Sequence, residues 1–351
     1  MAQGRNGRAT IATVAARAGR SISTVSAALN GSPGVAASTR EEILRVAGEL
    51  GYEADPRARL LRSRHTGLIG ASFAVGQAFQ GQIVDGLYRA CSELGHSLVL
   101  AASTPHRDVA QGLRGLLSER CEGLILIDPD VAAPVLAGAV ERAQGVLICT
   151  STGLADVDEV HSRDDVGVTA LVDHLVMTGR RRIVHLDGAD ETAAELRART
   201  YLTAMENHGL AGLSRVVPGG GDEESGARAV QVLLGDRLPE ALLCFNDHCA
   251  VGALMELRRQ GVRVPQDVAI TGYDDIPVTA VSSFSLTTVH QDAGLLAEVA
   301  VRALLGRVHP EQAQTMGIMP PGVVSRARPQ GGSAYFVMPS LVLRGTTAVG
   351  A

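Results

Sequence analysis

The chain has 351 residues, 46% hydrophobic and 20% charged, a length that suits two or three domains. A net charge of −5 excludes a uniformly basic nucleic-acid coat, and an aromatic content of 3% with no Trp argues against an aromatic-rich carbohydrate-binding module. All 32 basic residues are Arg, so a P-loop lysine, a pyridoxal Schiff-base lysine and a kinase-type lysine are excluded.

The five cysteines (91, 121, 149, 244, 249) are scattered and never form a C-x-x-C pair, and the ten histidines do not cluster with them in sequence. Neither a disulfide framework nor a zinc site is suggested, which fits a reducing compartment. Met1 to Arg8 is polar, no signal-like apolar stretch follows it, and no run of eighteen apolar residues occurs. The expected location is the cytoplasm, with no membrane partner and neither cofactor nor metal.

Charge is uneven along the chain. Residues 1–65 hold ten Arg against five acids, a net of +5, and the remainder carries −10. A small basic head on an acidic body suggests that the head meets a polyanion. The competing view is a solvated Arg-rich tail, and patterning decides against it. Ile11, Val14, Ala15 and Ala18 fall at helical spacing before Gly19. Ser21 can cap a second helix with apolar Ile22, Val25 and Leu29, closed by Asn30-Gly31. A third begins at a capping box, Ser38-x-x-Glu41, and carries Ile43, Leu44, Val46, Ala47 and Leu50 before Gly51. Two short helices across a tight turn, backed by a third, make a helix-turn-helix unit whose second helix enters the major groove.

From Gly67 onward, short apolar runs alternate with helix-length segments. Strand candidates are 68–75, 97–102, 123–127, 146–149, 182–186, 215–217, 241–245 and 268–272. Helices are expected at roughly 80–94, 108–119, 131–143, 166–178, 193–208, 223–234, 247–260 and 292–305. Such alternation gives parallel sheets covered on both faces, as one barrel or two doubly wound lobes.

The head resembles a known family. Thr10-Ile11-x-x-Val14-Ala15-x-x-Ala18-Gly19-x-Ser21-x-x-Thr24-Val25-Ser26-x-x-Leu29-Asn30-Gly31, continued by Val35-x-x-x-Thr39-Arg40, Leu50-Gly51-Tyr52 and the stretch 55–61, is similar to the DNA-binding signature of the lactose-repressor (LacI) family. The resemblance runs through nearly all of the chain. It implies an N-terminal all-α helix-turn-helix headpiece at 1–54 and a hinge helix or linker at 55–65. It also implies an α/β periplasmic-binding-protein-like body of two Rossmann-like lobes at 66–351. Lobe 1 would cover about 66–162 and 291–320, and lobe 2 about 163–290 and 321–351, with crossings near Ser162, His290 and Pro320.

By the same resemblance, Ser21, Thr24, Ser26 and Asn30 contact DNA phosphates, where short polar side chains fix register without reading sequence. Ile22, Ser23 and Ala27 stand at base-reading positions. Ala27 replaces the Arg often found there, so it cannot pair bidentately with guanine but can touch a thymine methyl. An alternative for Ile22 is a core role on an amphipathic helix. In the hinge, Asp55 can cap a short helix with Pro56 at its first position. The resemblance places Leu61 as a minor-groove wedge, with Ala58 facing the groove and Arg59 reaching it.

Several polar residues follow apolar strands in the body, where ligands of α/β sheets bind. Phe79, Arg197, Asn246, Asp274 and Gln291 match the family's effector-contact positions. Together they suit a sugar or nucleoside, although Arg197 could also pair with a carboxylate or phosphate. For Asp274-Asp275 the competing reading is a cap and turn. Thr200 and Arg180 depart from the family pattern, and Pro320 to Pro339 looks long and loose, as a surface loop would. No leucine heptad follows Arg344, so a homodimer is expected rather than a coiled-coil tetramer.

No G-x-S-x-G, H-E-x-x-H or Walker A motif occurs, and neither Asp164-Asp165 nor Asp274-Asp275 has a partner at catalytic spacing. No catalytic residues and no enzyme activity are expected. The expected function is a transcriptional repressor that binds double-stranded, pseudo-palindromic operator DNA and is switched by a small-molecule effector, a sugar by preference. The alternative is a sugar-binding protein without a regulatory switch.

Overall fold

The structure is a computed structural model that describes residues 9–29, 34–52, 66–311 and 319–348. The expectations for Asn30 and for the hinge segment 55–64, including Ala58, Arg59 and Leu61, lie outside the described residues. Two compact units divide between Thr66 and Gly67. No described helix is long and apolar enough to cross a membrane.

The first unit holds α1 (Ile11–Ala18), α2 (Ile22–Leu29) and α3 (Ala37–Glu49). Thr10 caps α1 through the Thr13 backbone, and Gly19 ends it with a φ of 62°, a left-handed conformation that glycine adopts without a Cβ penalty. Val14, Ala15, Ala18, Val25, Ala28, Ile43, Val46 and Ala47 form the core shared by the three helices. The capping-box expectation for α3 is corrected. The helix begins at Ala37 after an Ala36 cap that makes no side-chain bond, so Ser38 lies inside its first turn. Leu44, expected in the apolar face, is exposed.

The second unit is built on two layers, a seven-stranded sheet that is parallel except at its β11 edge and a four-stranded parallel sheet. Its seven-stranded sheet runs β11-β12-β5-β4-β3-β1-β2, with β1 (Leu68–Ala74), β2 (Ser97–Ser103), β3 (Gly123–Ile127), β4 (Gln144–Ile148), β5 (Asp158–Ser162), β11 (Val324–Ala327) and β12 (Ser333–Val337). The four-stranded sheet runs β7-β6-β8-β9, from β6 (Ile183–Asp187), β7 (Arg215–Pro218), β8 (Ala241–Cys244) and β9 (Ala269–Thr271). Strands such as β3, buried at every position, read as continuous apolar runs because helices cover both faces.

The helices are α4 (Ala78–Glu93), α5 (Val109–Ser118), α6 (Ala133–Arg142), α7 (Asp164–Met177), α8 (Ala194–Asn207), α9 (Glu223–Leu234), α10 (Asp247–Arg259) and α11 (Ala293–Val308). Helices α4 and α11 pack on one face of the larger sheet, around Ile83, Leu87, Leu296, Ala300 and Leu304. Helices α9 and α10 approach closely through Gly226 and Gly252, where a Cβ on either would run into the other helix's backbone.

Strand β10 (Thr288–His290) pairs antiparallel with β13 (Ser340–Val342), and Thr271 and Asp274 bridge to Thr287 and His290 beside β9. The chain therefore passes between layers after β5, after β10 and after β12.

The last passage corrects the expectation at Pro320. Residues 324–337 form a β-hairpin that belongs to the larger sheet, with β12 parallel to β5 in the register Ala334↔Glu159 and Phe336↔His161. Gly331 and Gly332 make its turn at φ of 91° and 75°, conformations closed to most side chains. Arg328 is buried there, paired to Glu159 at 2.8 Å and donating to the Val157 carbonyl at 2.6 Å. What reads as a loose polar stretch is a sheet extension, because the partners that satisfy its arginine lie about 170 residues away in sequence.

Candidate functional sites: a helix face and an inter-lobe cavity

In the first unit, Ser21 starts α2. Its carbonyl accepts from Val25 N at 3.0 Å, and its hydroxyl accepts from Thr24 N at 3.1 Å. The Ser21 hydroxyl also meets those of Ser23 and Thr24 at 2.7 and 2.8 Å. Val25 and Ala28 turn inward, which leaves Ser21, Ile22 and Ser23 exposed and Thr24, Ser26 and Ala27 half-buried. Ile22 is 49% exposed, so the core role weighed for it is set aside. The surface offers hydroxyls and small apolar groups without a guanidinium on the helix itself.

In the second unit, Phe79, Arg197, Asn246, Asp274 and Gln291 all line one cavity of about 70 Å³ between the two layers. Strand ends and helix starts bring them there. Phe79 sits in the first turn of α4, Arg197 in the first turn of α8, and Asn246 is the N-cap of α10. Asp274 follows β9, and Gln291 follows β10 at the second passage.

Arg197 is buried. Its Nε donates to Asp164 Oδ2 at 3.2 Å and its Nη1 to the Phe245 carbonyl at 2.7 Å. The guanidinium carbon lies 3.8 Å from the Tyr273 ring centroid and 4.8 Å from that of Phe245. Burial alone would pull its pKa down; the Asp164 carboxylate outweighs this and holds the group charged, above its usual value. Asp164 also accepts from the Tyr273 hydroxyl at 2.9 Å, while Asp165 pairs with Arg163 at 2.7 Å. The Asp164-Asp165 pair is thus divided between two arginines.

Gln291 Nε2 donates to Asp274 Oδ1 at 2.6 Å. Burial raises the Asp274 pKa to about 6, against the lowering effects of Arg197 and Gln291. Asp275 turns away from the cavity and pairs with Arg344 at 2.7 Å and His290 at 3.1 Å, so of the two acids only Asp274 lines the cavity. Asn246 has a second task, because its Oδ1 accepts from Cys249 N at 2.9 Å and its Nδ2 donates to Gly221 O at 3.0 Å. Asp247 points elsewhere, accepting from Thr288 Oγ1 at 2.6 Å and Ile276 N at 2.9 Å.

Asp128, Cys149 and Glu191 also line the cavity and were not expected from sequence. Asp128 and Cys149 stand just past the apolar runs of β3 and β4, the signal that marked Asn246 and Asp274; Glu191 carries no such signal. Asp128, Cys149 and Asp274 hold φ of 39°, 62° and 112°, sparsely populated for residues with a Cβ. Such strain gathers at ligand sites, where the surroundings fix it. Burial raises the Glu191 carboxyl above its ordinary value. The cavity shares Cys149, Ala193, Arg197 and Gln291 with an outer cleft of about 990 Å³ walled by β5, the β11–β12 hairpin and the start of α8.

Residues 10–55 match the family described as bacterial regulatory proteins, lacI family, and residues 172–327 match the periplasmic binding protein-like domain. The chain is 30% identical to the HTH-type transcriptional regulator MalR of Streptomyces coelicolor across 96% of each chain. It is 31% identical to the ribose operon repressor of Escherichia coli across 86% of this chain and 93% of that one. A solved transcriptional regulator CelR–cellobiose complex is 26% identical, with 97% of this chain and 100% of that one covered at a TM-score of 0.67. With identity sustained from the helix-turn-helix unit through both layers of the body, the chain belongs to the lacI family of bacterial regulatory proteins.

Proposed function

We propose that the protein represses transcription as a homodimer on a pseudo-palindromic operator, and that a sugar or related polyol in the Arg197–Asp274–Gln291 cavity switches its operator affinity. The observation that carries this reading is the convergence of Phe79, Arg197, Asn246, Asp274 and Gln291, drawn from five separate segments, on one cavity between two layers. Asp128, Glu191 and Asp274 can accept from several hydroxyls, and Phe79 and Phe245 supply apolar ring surface. Three carboxyl groups against one guanidinium already engaged by Asp164 disfavour a phosphate or carboxylate ligand. A neutral polyhydroxylated effector fits, as the names of the ribose and cellobiose relatives also suggest.

Groups from both layers line the cavity, and Ala78 N reaches His248 Nε2 at 3.4 Å across them. A ligand that touches both layers changes how they meet, and the coupling to DNA is expected to be about 1–3 kcal/mol and reciprocal. In the head, Ser21, Thr24, Ser26 and Asn30 would hold phosphates, and Ile22, Ser23 and Ala27 would meet base edges. Residues 1–54 act as headpiece and 55–65 as the hinge, with Ala58, Arg59 and Leu61 in the minor groove. Two-fold pairing requires a self-complementary surface. Exposed Met255, Val278 and Val281 on α10 and the turn after β9 are suited to it.

The test is titration of the full chain against its own upstream DNA with a panel of sugars and nucleosides. Salt-dependent binding to a pseudo-palindrome, shifted by one sugar, is the expected result, and the direction of the shift identifies inducer or corepressor. Sugar binding with no change in operator affinity would leave a binding protein without a switch. Leu61→Ala is expected to weaken operator binding while leaving effector affinity intact; unchanged operator affinity would discard the wedge.

A further inference from the structure

At the opposite end of the larger sheet's strands from the cavity, where the strands begin, three side chains distant in sequence meet. His96 precedes β2, Glu122 precedes β3, and His309 ends α11. Strands β2 and β3 flank β1, so His96 and Glu122 stand on either side of the point where Gly67 enters the sheet. One ligand-type atom from each residue lies within 4.8 Å of the others. We propose that His96, Glu122 and His309 form a binding site for a divalent transition-metal ion of the zinc type.

The donor set is right for such an ion, since two imidazoles and one carboxylate are common zinc ligands and leave a fourth position for water. The supporting contacts orient it. His96 Nδ1 donates to the Leu94 carbonyl at 2.9 Å, which fixes the tautomer and gives Nε2 a lone pair. Glu122 divides its oxygens, with Oε1 accepting from Gly67 N at 2.7 Å and Oε2 facing His309 Nε2 at 2.9 Å. Glu311 stands 3.7 Å from His309 Nδ1, beyond hydrogen-bond length but near enough to serve as an outer carboxylate once its exposed side chain closes in. A histidine–glutamate ion pair accounts for two of these residues, but it does not require a second imidazole held in one tautomer beside it. His309 is 4% exposed, so an ion here would be largely shielded by protein.

The experiment uses untagged full-length protein freed of metal by chelation, then titrated with zinc chloride by calorimetry and with cobalt chloride by visible absorption. One ion per chain, the intense visible absorption of low-coordinate cobalt and a raised unfolding temperature are expected. His96→Ala and His309→Ala should each weaken zinc binding at least about tenfold while sugar binding persists. Sugar binding shows that the variants fold; His96, being only half-buried, is the safer of the two substitutions. Absence of saturable binding, or zinc affinity unchanged in both variants, would overturn the proposal.

Discussion

Arg197 and Asp164 form a buried ion pair, Nε to Oδ2 at 3.2 Å, that links the first turn of α8 to the first turn of α7. The same carboxylate holds the Tyr273 hydroxyl, and the Tyr273 ring lies beneath the guanidinium. In the proposed site, Arg197 would therefore meet a ligand as a donor fixed in place, with its charge already compensated. This favours recognition of hydroxyls over capture of an anion.

Removing Arg197 has two separable consequences. Arg197→Ala should abolish the effector response, and by leaving Asp164 buried without its partner it should cost about 3–5 kcal/mol of stability in the body. Thermal unfolding and sugar titration measure the two effects. Adding Asp164→Asn should restore much of the stability but not the response. A normal sugar response in either variant would remove Arg197 from the site.

If Asp274 contacts the effector as proposed, effector affinity should depend on pH. Its folded pKa of about 6 lies above the ordinary aspartate value of 3.8, so the protonated acid is favoured in the fold. The ionised carboxylate thus opposes folding, by on the order of 3 kcal/mol above pH 6, and the opposition fades as pH falls toward 4. Ligand binding has the reverse sense, because hydroxyls donate to the carboxylate. Sugar affinity should fall by up to about tenfold per unit as pH drops below 6. Asp274→Asn should abolish the inflection; a wild-type profile flat from pH 7 to 5 would refute the assignment.

Asn246 serves a helix and, by the proposal, a ligand. Asn246→Asp keeps an oxygen for Cys249 N but sets a buried carboxyl against the Gly221 carbonyl in place of the Nδ2 bond, so it should cost stability as well as weaken sugar binding through loss of the amide donors. Asn246→Ala loses both and should cost about 1 kcal/mol of stability. Chemical denaturation beside sugar titration separates the two; equal sugar affinity in all three proteins would make Asn246 a cap alone.

In the head, Ile22 and Val25 lie one turn apart on α2, Ile22 half-exposed at its start and Val25 fully buried in the core. Ile22→Ala should change stability by less than about 0.5 kcal/mol yet weaken operator binding. Val25→Ala, at a fully buried position, should destabilise the head by roughly 1–3 kcal/mol. Circular dichroism melting and operator titration distinguish them. Undiminished operator affinity in Ile22→Ala would take that residue out of the interface.

Much of this was legible in the order of residues. Local signals carry the elements: Gly19 ends α1 where expected, α9 spans the expected 223–234, and polar residues just past apolar strands mark Asn246 and Asp274. The same rule applied to Asp128 and Cys149 would have found two more. The third helix misled because Ser38 and Glu41 match a capping pattern that the chain satisfies one turn-fraction earlier, at Ala36, without a side chain.

By itself the sequence determined the periodicity, the caps, the basic head and the residue types offered to DNA and ligand, because these follow from neighbours within a few positions. Tertiary structure alone decided the rest. It buried Arg328 against carbonyls near position 155 and so made a hairpin of 324–337, moving the third passage beyond Val337. It gave Asp274 a raised pKa and turned Asp275 to Arg344, although the two are adjacent in sequence. It also gathered His96, Glu122 and His309. The physical reason is that burial, charge compensation and strand pairing depend on distances in space, and no local pattern encodes which remote group will supply the partner.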